Sequence, residues 1–590
     1  MNRSSSSDFP VHPGLLLLLL AGPLVASQCS DGIPFWPSGD RSDQPFVEVT
    51  DEAGLSAFRH ETGAFGEKRM PETLGGGVAF FDYESDGDQD LLLVGGNTWP
   101  SERDTTVRGL RLYRNDATGQ FEDYTREAGL DSVRAYGFGV TTADIDNDGD
   151  QDIYLTTLHR NRLFRNDDGV FTEVGRQAGV AGPSEWSTAA VFFDADRDGY
   201  LDLYVGNYVD WDPDMELSCT LADGETRTYC TPEHYEGLAG RFYHNDGDGT
   251  FTEWSERAGV RPAPGKTLGA SMVDFNRDGW LDLIVANDTR RNLLLKNEGD
   301  GTFEEVGISY GFNATRASMG IDVAPVDSTG HPFVVIGNFT RELMGAYQRT
   351  DLGVFEDFSG RRGLEGTQDP LMWGLFFFDV ELDGDLDLFV ANGPLEHEME
   401  GDTAAVLKNY AIYDQEPLLY LNQGNGRFRE VDTRPGGLLS SPMAARGAAH
   451  ADVDGDGDLD LIVTEAGGPV HLWENRTRQG HFLRVHLDGT VSNRDGIGAR
   501  IVADVGGRSL RRTVRSGSSY LSQSERVVTF GLGERERVDT LRVHWPSGAV
   551  DERVGVEADQ EIHVRESGRD AADSRSRVRP LEEGDRRTLR

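Results

Sequence analysis

The feature that most constrains the fold of this chain is a nine-residue acidic loop that recurs along its first four-fifths. Intact copies begin at Asp82, Asp144, Asp194, Asp274, Asp379 and Asp452, and a degenerate copy begins at Asp327. The basic spacing is about fifty residues, the length of one four-stranded propeller blade, and the longer spacings mark insertions. The chain is therefore predicted to be a repeat architecture and not one continuous core.

Short apolar runs flank every loop and predict β-strands. The first loop follows the run Gly75–Phe81, which is rich in small residues, and precedes Leu91–Val94. Such runs are too short for helices and are bounded by turn residues, which is typical of buried strands. Small residues in the run before the loop suit a crowded strand near a propeller axis.

A further strand recurs in each repeat, and its order in the chain predicts a ring. These Phe-x-Glu-Val-like outer strands begin at Phe46, Phe121, Phe171, Phe251, Phe303, Phe355 and Phe428. The chain starts with an outer strand and ends its repeats, near Asn475, without one. The first strand can therefore complete the last repeat, which removes the free sheet edges. The sequence predicts an all-β fold with a closed seven-bladed propeller; an open repeat array is the alternative.

The acidic loops have the pattern of cation sites. In the copy Asp452–Asp460, side-chain oxygens stand at loop positions one, three, five and nine, and Gly457 follows position five. The odd positions of a tight turn point inward together, so the carboxylates converge, and the glycine permits the bend that returns position nine. Position seven can add its backbone carbonyl. An all-oxygen cage of about six or seven ligands suits Ca²⁺.

Six loops keep this cage, so about six Ca²⁺ ions are predicted. Simple Asx-turns are the alternative, but a turn needs one or two aspartates, not four at fixed odd spacing. The loop at Asp327 has lost most of its carboxylates and is predicted to bind nothing. The predicted ligands are Asp82, Glu84, Asp86 and Asp90; Asp144, Asp146, Asp148 and Asp152; Asp194, Asp196, Asp198 and Asp202; Asp274, Asn276, Asp278 and Asp282; Asp379, Glu381, Asp383 and Asp387; and Asp452, Asp454, Asp456 and Asp460.

These loops resemble the FG-GAP/VCBS repeats of integrin α-chain propellers and their bacterial relatives, over roughly residues 46 to 475. After His481 the pattern changes, and segments such as Val514–Gln523 and Leu541–Gly548 resemble the ASPIC/UnbV module. The whole chain is similar to the cartilage acidic protein family. That resemblance implies a secreted or surface-exposed, calcium-binding protein, whereas the biochemical role of the family is poorly defined.

The C-terminal module carries an excess of arginine in an otherwise acidic chain. The positions are Arg500, Arg508, Arg511, Arg512, Arg515 and Arg526. A solvated strand face is the expectation for such a stretch. The alternatives are a site for an acidic glycan and a contact with the acidic propeller.

Net charge and the N-terminus indicate where the protein acts. The formal net charge of −44 argues against nucleic acid and anionic membranes as partners. The run Leu15–Leu20 and the small residues Val25–Ser27 predict an export signal cleaved after Ser27. This run is too short to span a bilayer, and no other apolar run is long enough. Cys29 follows the predicted cleavage site and is a candidate for a lipid anchor, although Gln28 is atypical there. A secreted, cell-surface or periplasmic location is expected.

Cys219 and Cys230 lie in one polar insertion and predict a local disulfide, because the chain is expected to be exported. The predicted divisions are a signal peptide (1–27), a linker (28–45), the propeller (46–476, with an insertion at 209–240), a β-rich C-terminal module (481–566) and a disordered charged tail (567–590).

A binding or adhesion role, with a protein or glycan as partner, is the predicted function, since propellers present loops around a channel. Five aromatic residues are candidates for the binding surface: Tyr208, Trp211, Tyr229, Tyr235 and Trp373. The alternative is a calcium-dependent polysaccharide lyase or hydrolase. The sequence contains no catalytic motif that favours it, so no catalytic residue is predicted.

Overall fold

The protein is described from a computed structural model. The structure describes residues 45–63, 66–96, 108–220, 223–262, 264–395, 415–431, 439, 441–477 and 480–568. The predicted signal peptide, Cys29 and most of the predicted tail lie outside the described residues. Within them the fold is all-β. The helices there are five short 3₁₀ segments, Met70–Thr73, Pro213–Met215, Pro232–His234, Ser359–Arg361 and Glu365–Gln368.

Seven four-stranded antiparallel sheets account for residues 46 to 475. The first strand, β1 (Phe46–Glu48), belongs to the last sheet. Sheet one contains β2 (Val78–Phe81), β3 (Asp90–Val94), β4 (Leu110–Asn115) and β5 (Phe121–Asp123). Sheet two contains β6 (Gly137–Ala143), β7 (Asp152–Thr157), β8 (Arg162–Asp167) and β9 (Val170–Glu173). Sheet three contains β10 (Ser187–Phe193), β11 (Asp202–Asn207), β14 (Arg241–Asn245) and β15 (Phe251–Glu253), with the insertion hairpin β12 (Cys219–Thr220) and β13 (Arg227–Thr228) between them.

The remaining sheets follow the same plan. Sheet four contains β16 (Thr267–Val273), β17 (Asp282–Asn287), β19 (Leu293–Asn297) and β20 (Phe303–Glu305); β18 (Arg290–Arg291) pairs separately with β21 (Thr315–Arg316). Sheet five contains β22 (Ser318–Ala324), β23 (Phe333–Asn338), β24 (Gly345–Arg349) and β25 (Phe355–Asp357). Sheet six contains β26 (Met372–Phe378), β27 (Asp387–Asn392), β28 (Leu418–Asn422) and β29 (Phe428–Glu430). Sheet seven contains β30 (Ala445–Ala451), β31 (Asp460–Glu465), β32 (Val470–Asn475) and β1.

The first strand of each sheet lies against the first strand of the next, and glycine makes this close approach feasible. A Cβ atom on Gly320 of β22 would lie 2.1 Å from the carbonyl oxygen of Trp373 in β26. A Cβ on Gly447 of β30 would lie 2.2 Å from the carbonyl oxygen of Gly76, just before β2. Sheet seven therefore packs against sheet one, although the two are far apart in the sequence.

Strand β1 completes sheet seven, as its position in the sequence predicts. It pairs antiparallel with β32, with Phe46 opposite Asn475 and Glu48 opposite Trp473. The predicted outer strands end one residue sooner than expected, although the amide of the fourth residue still donates to the neighbouring strand, as that of Tyr124 does to the Leu112 carbonyl. The backbone hydrogen bonds of β1 are thus formed with residues more than four hundred positions away in the chain.

A histidine bridges β1 to sheet seven through two carboxylates. His471 Nδ1 lies 2.7 Å from Glu48 Oε1, and its Nε2 lies 2.7 Å from Glu465 Oε1. Burial acts to lower the pKa of His471, but hydrogen bonds to Glu465 and Glu48 outweigh it and raise the value to about 9. The imidazolium is therefore the form that holds β1 in place at neutral pH.

We expect the His471 contacts to stabilise the protein below pH 6.5 and to be lost as the pH rises through 9. A raised folded-state pKa contributes in that direction, here by about 2 kcal/mol after allowance for the part-exposed Glu48. The measurement is urea unfolding at pH 7 and pH 10 for wild type and His471→Gln. The variant should lose stability at pH 7 and differ little at pH 10; an equal loss at both values would contradict a charged bridge.

The C-terminal module forms two sheets. One has the order β36 (Val528–Gly533), β33 (His481–Asp488) and β39 (Gln560–Arg565), with β33 and β39 parallel. The other is antiparallel, in the order β35 (Arg508–Thr513), β34 (Arg500–Val505), β37 (Arg537–His544) and β38 (Val550–Glu557). One apolar cluster runs from Val191 of β10 through Tyr520 to Phe530 of β36, so the module shares a core with the repeats.

Candidate metal centres and the C-terminal module

Each acidic loop is folded by its own carboxylates. Asp82 Oδ1 accepts a hydrogen bond from the Asp86 amide at 3.0 Å, and its Oδ2 accepts one from the Gly87 amide at 2.8 Å. Asp90, at position nine, accepts the Tyr83 amide at 3.1 Å. The first and last carboxylates therefore close the turn from both ends, as Asx-turns do at shorter range.

Two backbone positions in every intact loop are left-handed. The glycine at position six has φ between 90° and 104° in all six loops, as the sequence predicts. Position four was not anticipated, because it is mostly not glycine. Its φ values are 56° at Ser85, 60° at Asn147, 62° at Arg197, 62° at Arg277, 58° at Leu382 and 74° at Gly455. This conformation costs an L-residue about 1–2 kcal/mol, so strain recurs at the same place in five loops.

The predicted ligands converge in three of the loops. Three sets of carboxylates have oxygens within 4.8 Å of one another: Asp144, Asp146 and Asp152; Asp194, Asp196 and Asp198; and Asp452, Asp454 and Asp460. Within the part of the chain that the structure describes, five buried loop oxygens have no hydrogen-bond partner: Asp146 Oδ1, Asp194 Oδ1, Asp274 Oδ1, Glu381 Oε2 and, at position seven of its loop, Asp458 Oδ1. A buried acceptor without a donor is costly, and a hard cation is the group that would satisfy such a set.

The raised pKa values of the loop carboxylates also favour a bound cation. Burial raises the pKa of Asp90 to about 8, and backbone hydrogen bonds only partly offset it. Burial and the neighbouring Asp202 carboxylate raise the pKa of Asp194 to about 8. Burial also raises the pKa of Asp282 to about 8. Several carboxylates are thus held where their charge is disfavoured unless positive charge is supplied.

The degenerate fifth loop contains protein side chains that satisfy its aspartate. Asp327 Oδ2 accepts from Gln348 Nε2 at 3.0 Å and forms an ion pair with Arg362 Nη2 at 3.3 Å. Phe333, opposite Ala324, occupies the position that Asp282, opposite Val273, has in sheet four, so the fifth loop begins at Pro325 and not at Asp327, which stands at position three. A guanidinium and an amide thus serve the one remaining carboxylate, which agrees with the absence of the other predicted ligands from this loop.

An asparagine in the third strand of six sheets links each loop to the preceding sheet. Its backbone N–H donates to the carboxylate at position nine, at 2.7–2.9 Å. Its Nδ2 donates to the carbonyl at position two of the preceding loop. The pairs are Asn115 with Val453, Asn166 with Tyr83, Asn245 with Ile145, Asn297 with Ala195, Asn422 with Val326 and Asn475 with Val380. The first pair joins sheet one to sheet seven.

We expect Asn245→Ala to lower the free energy of unfolding by about 2–3 kcal/mol, because two buried carbonyls lose their donor. Asn245 Nδ2 donates to Ile145 O at 2.9 Å and Leu201 O at 3.1 Å. Denaturant unfolding would measure the loss. The control is Asn493→Ala at another buried asparagine, whose Nδ2 donates to the carbonyl of Ile497 four residues further along the module. A loss at Asn245 no larger than 0.5 kcal/mol, the usual limit for surface changes, would contradict a linking role.

A histidine that the sequence analysis did not single out lies beside the third loop. His244 Nδ1 is 2.9 Å from Asp202 Oδ1 and 3.8 Å from Asp196 Oδ2, and the ring stacks on Trp254 at 3.8 Å between centroids. The residue immediately precedes the linking Asn245. The sequence signal that could have identified His244 is its position directly before a recurring asparagine.

The module's arginines contact the repeats, contrary to the expectation of a solvated strand face. Arg508 Nη2 lies 2.5 Å from Asp385 Oδ1, and Arg512 Nη2 lies 4.0 Å from Asp379 Oδ2, both in the sixth loop. Arg515 forms a 2.6 Å ion pair with the buried Asp322 of β22. The acidic repeats themselves are therefore a partner of this basic stretch, since three of its arginines each face a carboxylate there.

Arg484 is the most deeply buried of the module's arginines that contact the repeats. Its Nε lies 3.4 Å from Asp452 Oδ2 of the seventh loop, and its Nη2 lies 2.8 Å from Glu525 Oε2. Glu561 is 3.2 Å away on the neighbouring strand β39. Three carboxylates thus compensate one guanidinium whose side chain is 5% exposed.

Residues 515–526 form a docking segment that enters the space between the first strands. Ser519 exchanges two 2.9 Å backbone hydrogen bonds with Ile321 of β22. Gln523 bonds through its backbone to Val78 and Phe80 of β2, and its side chain bonds to Thr142 of β6. The segment also contacts β10 through Ser516, β26 through Ser519 and β30 through Ser524.

Six of the seven first strands are therefore hydrogen-bonded to one segment of the module. The motif Ser516–Gln523, which carried the resemblance to the ASPIC/UnbV module, is the part inserted. Its small residues let the segment pass close to the surrounding backbone: a Cβ on Gly517 would lie 2.5 Å from the Ala190 carbonyl oxygen. The space along the first strands is consequently filled by the chain itself.

The insertion in sheet three is closed by a disulfide and contacts the 3₁₀ segment Met70–Thr73 that precedes sheet one. Cys219 and Cys230 are joined by a disulfide, with their Cα atoms 5.3 Å apart. Glu216 accepts hydrogen bonds from the Met70 amide, the Trp211 indole and the Tyr235 hydroxyl.

The prediction that five aromatic residues form a binding surface is wrong for four of them. Tyr208, Trp211, Tyr235 and Trp373 are each at most 7% exposed, and the fifth, Tyr229, is half-buried against Glu72. Their area stabilises the core instead.

Two family models match segments of this chain. A family model described as FG-GAP-like repeat matches residues 82–155, 144–205, 229–285, 274–336 and 409–463. A model described as ASPIC and UnbV matches residues 489–571. The chain therefore combines segments similar to FG-GAP-like repeats with a segment similar to the ASPIC and UnbV module.

Among curated proteins the chain is similar to cartilage acidic protein 1, so the resemblance found in the sequence is confirmed. It is 25% identical to the Mus musculus protein over 81% of this chain and 71% of that one, and 25% identical to the Homo sapiens protein over 81% and 70%. A solved Agrocybe aegerita lectin aligns with 67% of this chain and 87% of its own at 16% identity and a TM-score of 0.37. Likeness at that score does not define a common fold.

Proposed function

We propose that the seven sheets are the blades of a closed β-propeller and that its six intact loops bind Ca²⁺. The single observation that carries the calcium proposal is the set of five buried, unpaired loop oxygens beside converging carboxylates. Ring closure is supported by β1 completing sheet seven, by the Asn115–Val453 hydrogen bond and by the close contact of Gly447 with Gly76.

The ligands would be the side chains at positions one, three, five and nine of each loop, the set predicted from the sequence. Ca²⁺ would supply positive charge that lets the buried carboxylates ionise together. The chain itself contributes the rest: carboxylates one and nine hold the turn, and the linking asparagine fixes the ninth carboxylate to the next strand. Calcium in this arrangement is structural, because each loop also contacts the adjacent blade.

The test is a metal count on chelator-washed protein after dialysis against Ca²⁺. About six ions per chain are expected, and Asp194→Asn should remove one. Asp327→Asn is the control in the degenerate repeat, where Asp327 stands at loop position three, and it should leave the count unchanged. An absence of bound calcium would refute the proposal, and an equal loss in both variants would refute the assignment of individual loops.

We further propose that the protein is extracellular and serves as a non-catalytic binding module for a protein or glycan. None of the helices in the described ranges has the length and apolar character to cross a bilayer. The names of the curated relatives denote a cartilage protein and no enzymatic activity. A calcium-dependent lyase or hydrolase is the alternative, and no observation on the described residues favours it.

The insertion is the surface proposed to contact a partner, because the space between the first strands is filled by the docking segment. Met215 and Leu217 are 44% and 43% exposed there, on a loop stiffened by the disulfide. Adjacent exposed apolar side chains on a stiff loop are typical of binding sites. The partner class is a protein, with a glycan as the other outcome of the test.

Binding to immobilised matrix proteins and to a glycan array would test this surface. Met215→Ser with Leu217→Ser should abolish the strongest signal while the calcium count stays the same. Val550→Ser with Val554→Ser is the control, since both residues are exposed apolar side chains on the C-terminal module. Binding that survives the insertion variant, or that is lost equally in the control, would overturn the assignment.

A further inference from the structure

Two histidines and a glutamate meet on the C-terminal module, away from the acidic loops. His486 and His563 lie opposite each other on the parallel strands β33 and β39, and Glu561 is two residues before His563 on the same face. The two imidazole rings stack with centroids 4.6 Å apart. One ligand atom from each of the three residues lies within 4.8 Å of the other two.

Parallel pairing is what creates this cluster. In the β33–β39 register, residue 484 is opposite 561, 486 opposite 563 and 488 opposite 565, so these side chains share one face. His486 and His563 are far apart in the sequence, and no metal-binding spacing connects them. In the repeats, by contrast, the mixed cluster of His244 with Asp196 and Asp202 has one histidine and lies at the third acidic loop.

We propose that His486, His563 and Glu561 form a binding site for a transition-metal cation of the Zn²⁺ class. Two imidazoles with one carboxylate are ligands that Zn²⁺ accepts, whereas Ca²⁺ selects oxygen ligands. Three protein ligands leave at least one coordination position open to water or to a group from a partner. The site therefore differs from the acidic loops in ligand chemistry and in location.

The surroundings support this assignment. Neither ring nitrogen of His486 forms a hydrogen bond within the described part of the chain, so the ring is free to bind a metal. Glu561 Oε2 lies 3.2 Å from Arg484 Nε, and Glu561 Oε1 lies 3.7 Å from His563 Nε2. One carboxylate oxygen is thus oriented by an arginine while the other faces the imidazole, the arrangement of a ligand held by its outer contacts.

Nearby positive charges are already compensated. Arg484 contacts Asp452 and Glu525 besides Glu561, and Arg526 forms an ion pair with Asp495 at 3.2 Å. The His563 side chain is 49% exposed, so a cation can reach the site from solvent and the ring can adjust to it. Ligand separations of 4.8 Å or less need only a small inward movement to reach tetrahedral zinc distances.

Isothermal titration of the full chain with Zn²⁺ in excess Ca²⁺ tests the site. One Zn²⁺ per chain is expected, with binding lost in His563→Gln and weakened in Glu561→Gln. His481→Gln is the matched control, because His481 lies on the same strand β33 and is paired with Asp559. Co²⁺ in place of Zn²⁺ should give a visible absorption band in wild type and in the control, but not in His563→Gln.

Two results of the zinc titration would contradict the proposed site. No Zn²⁺ binding in excess Ca²⁺, or full retention of binding in His563→Gln, would overturn the proposal, and the second result would assign any zinc to adventitious sites. Unfolding by urea would show whether His563→Gln remains folded, which is expected for a half-exposed side chain. The result is independent of the calcium count, so the two proposals can fail separately.

Discussion

Chelation of calcium should lower the thermal unfolding midpoint of this protein by about 15 °C. A ligand that binds only the folded state adds about 2.7 kcal/mol per site at a hundredfold excess over its dissociation constant, and six sites add about 16 kcal/mol. For a folded region of this length, 1 kcal/mol corresponds to roughly 1 °C, by extrapolation from smaller domains. Differential scanning calorimetry with excess Ca²⁺ and with a chelator measures the shift.

The structure explains why the effect should be cooperative. The position-nine carboxylate of each loop is bonded to an asparagine whose side chain contacts the preceding loop, as with Asp90, Asn115 and Val453. Loss of one cation would therefore leave like charges at a point where two sheets meet. Mg²⁺ should restore little of the midpoint, because it demands a tighter octahedral geometry. An unchanged midpoint after chelation would reduce the loops to solvated turns.

Replacing Arg484 with methionine should lower the free energy of unfolding by about 3–5 kcal/mol, the cost of leaving buried carboxylates without their partner. Arg484 is 5% exposed, and its contacts Asp452 and Glu525 are buried as well. The residue belongs to β33 of the module, whereas Asp452 belongs to the seventh loop. Equilibrium urea unfolding of Arg484→Met in excess Ca²⁺ measures the loss.

Two further variants separate the ion pairs from general packing. Arg542→Met removes contacts to Asp504 and Glu552 that are at least 31% exposed, and a loss of 1 kcal/mol or less is expected there. Arg484→Met combined with Glu525→Gln should cost less than the sum of the single changes, because each removes the same interaction. Full additivity would show that Arg484 and Glu525 are not coupled.

These two changes probe different properties of the acidic chain. Calcium would neutralise the six intact loops, whereas Arg484 joins only the seventh loop to the module. Arg512 has a similar position over Asp379 of the sixth loop. The module thus adds fixed positive charge at two loops, and its docking segment adds hydrogen bonds to six sheets. Removal of calcium and replacement of Arg484 should therefore each lower both the stability of the repeats and the docking of the module onto them.

The sequence by itself determined the features that depend on residues close together in the chain. The strands before and after each loop follow from short apolar runs, and the convergence of Asp82 with Asp90 follows from nine-residue spacing and a left-handed glycine. The overhanging strand at Phe46 was also readable, because a repeat array that starts and ends out of phase has one obvious partner for it. Local spacing fixes local geometry.

Only the tertiary structure decided what distant segments do to one another. No local pattern shows that Arg362 serves Asp327, that the segment around Ser519 fills the space between the first strands, or that His486 faces His563. The arginines and aromatic residues were misjudged for the same reason: their composition suggested solvent and a binding surface, yet packing buries four of the five aromatic residues and places three of the arginines against carboxylates of the repeats. Such contacts depend on which surfaces meet after folding, and residue type or spacing does not encode that choice.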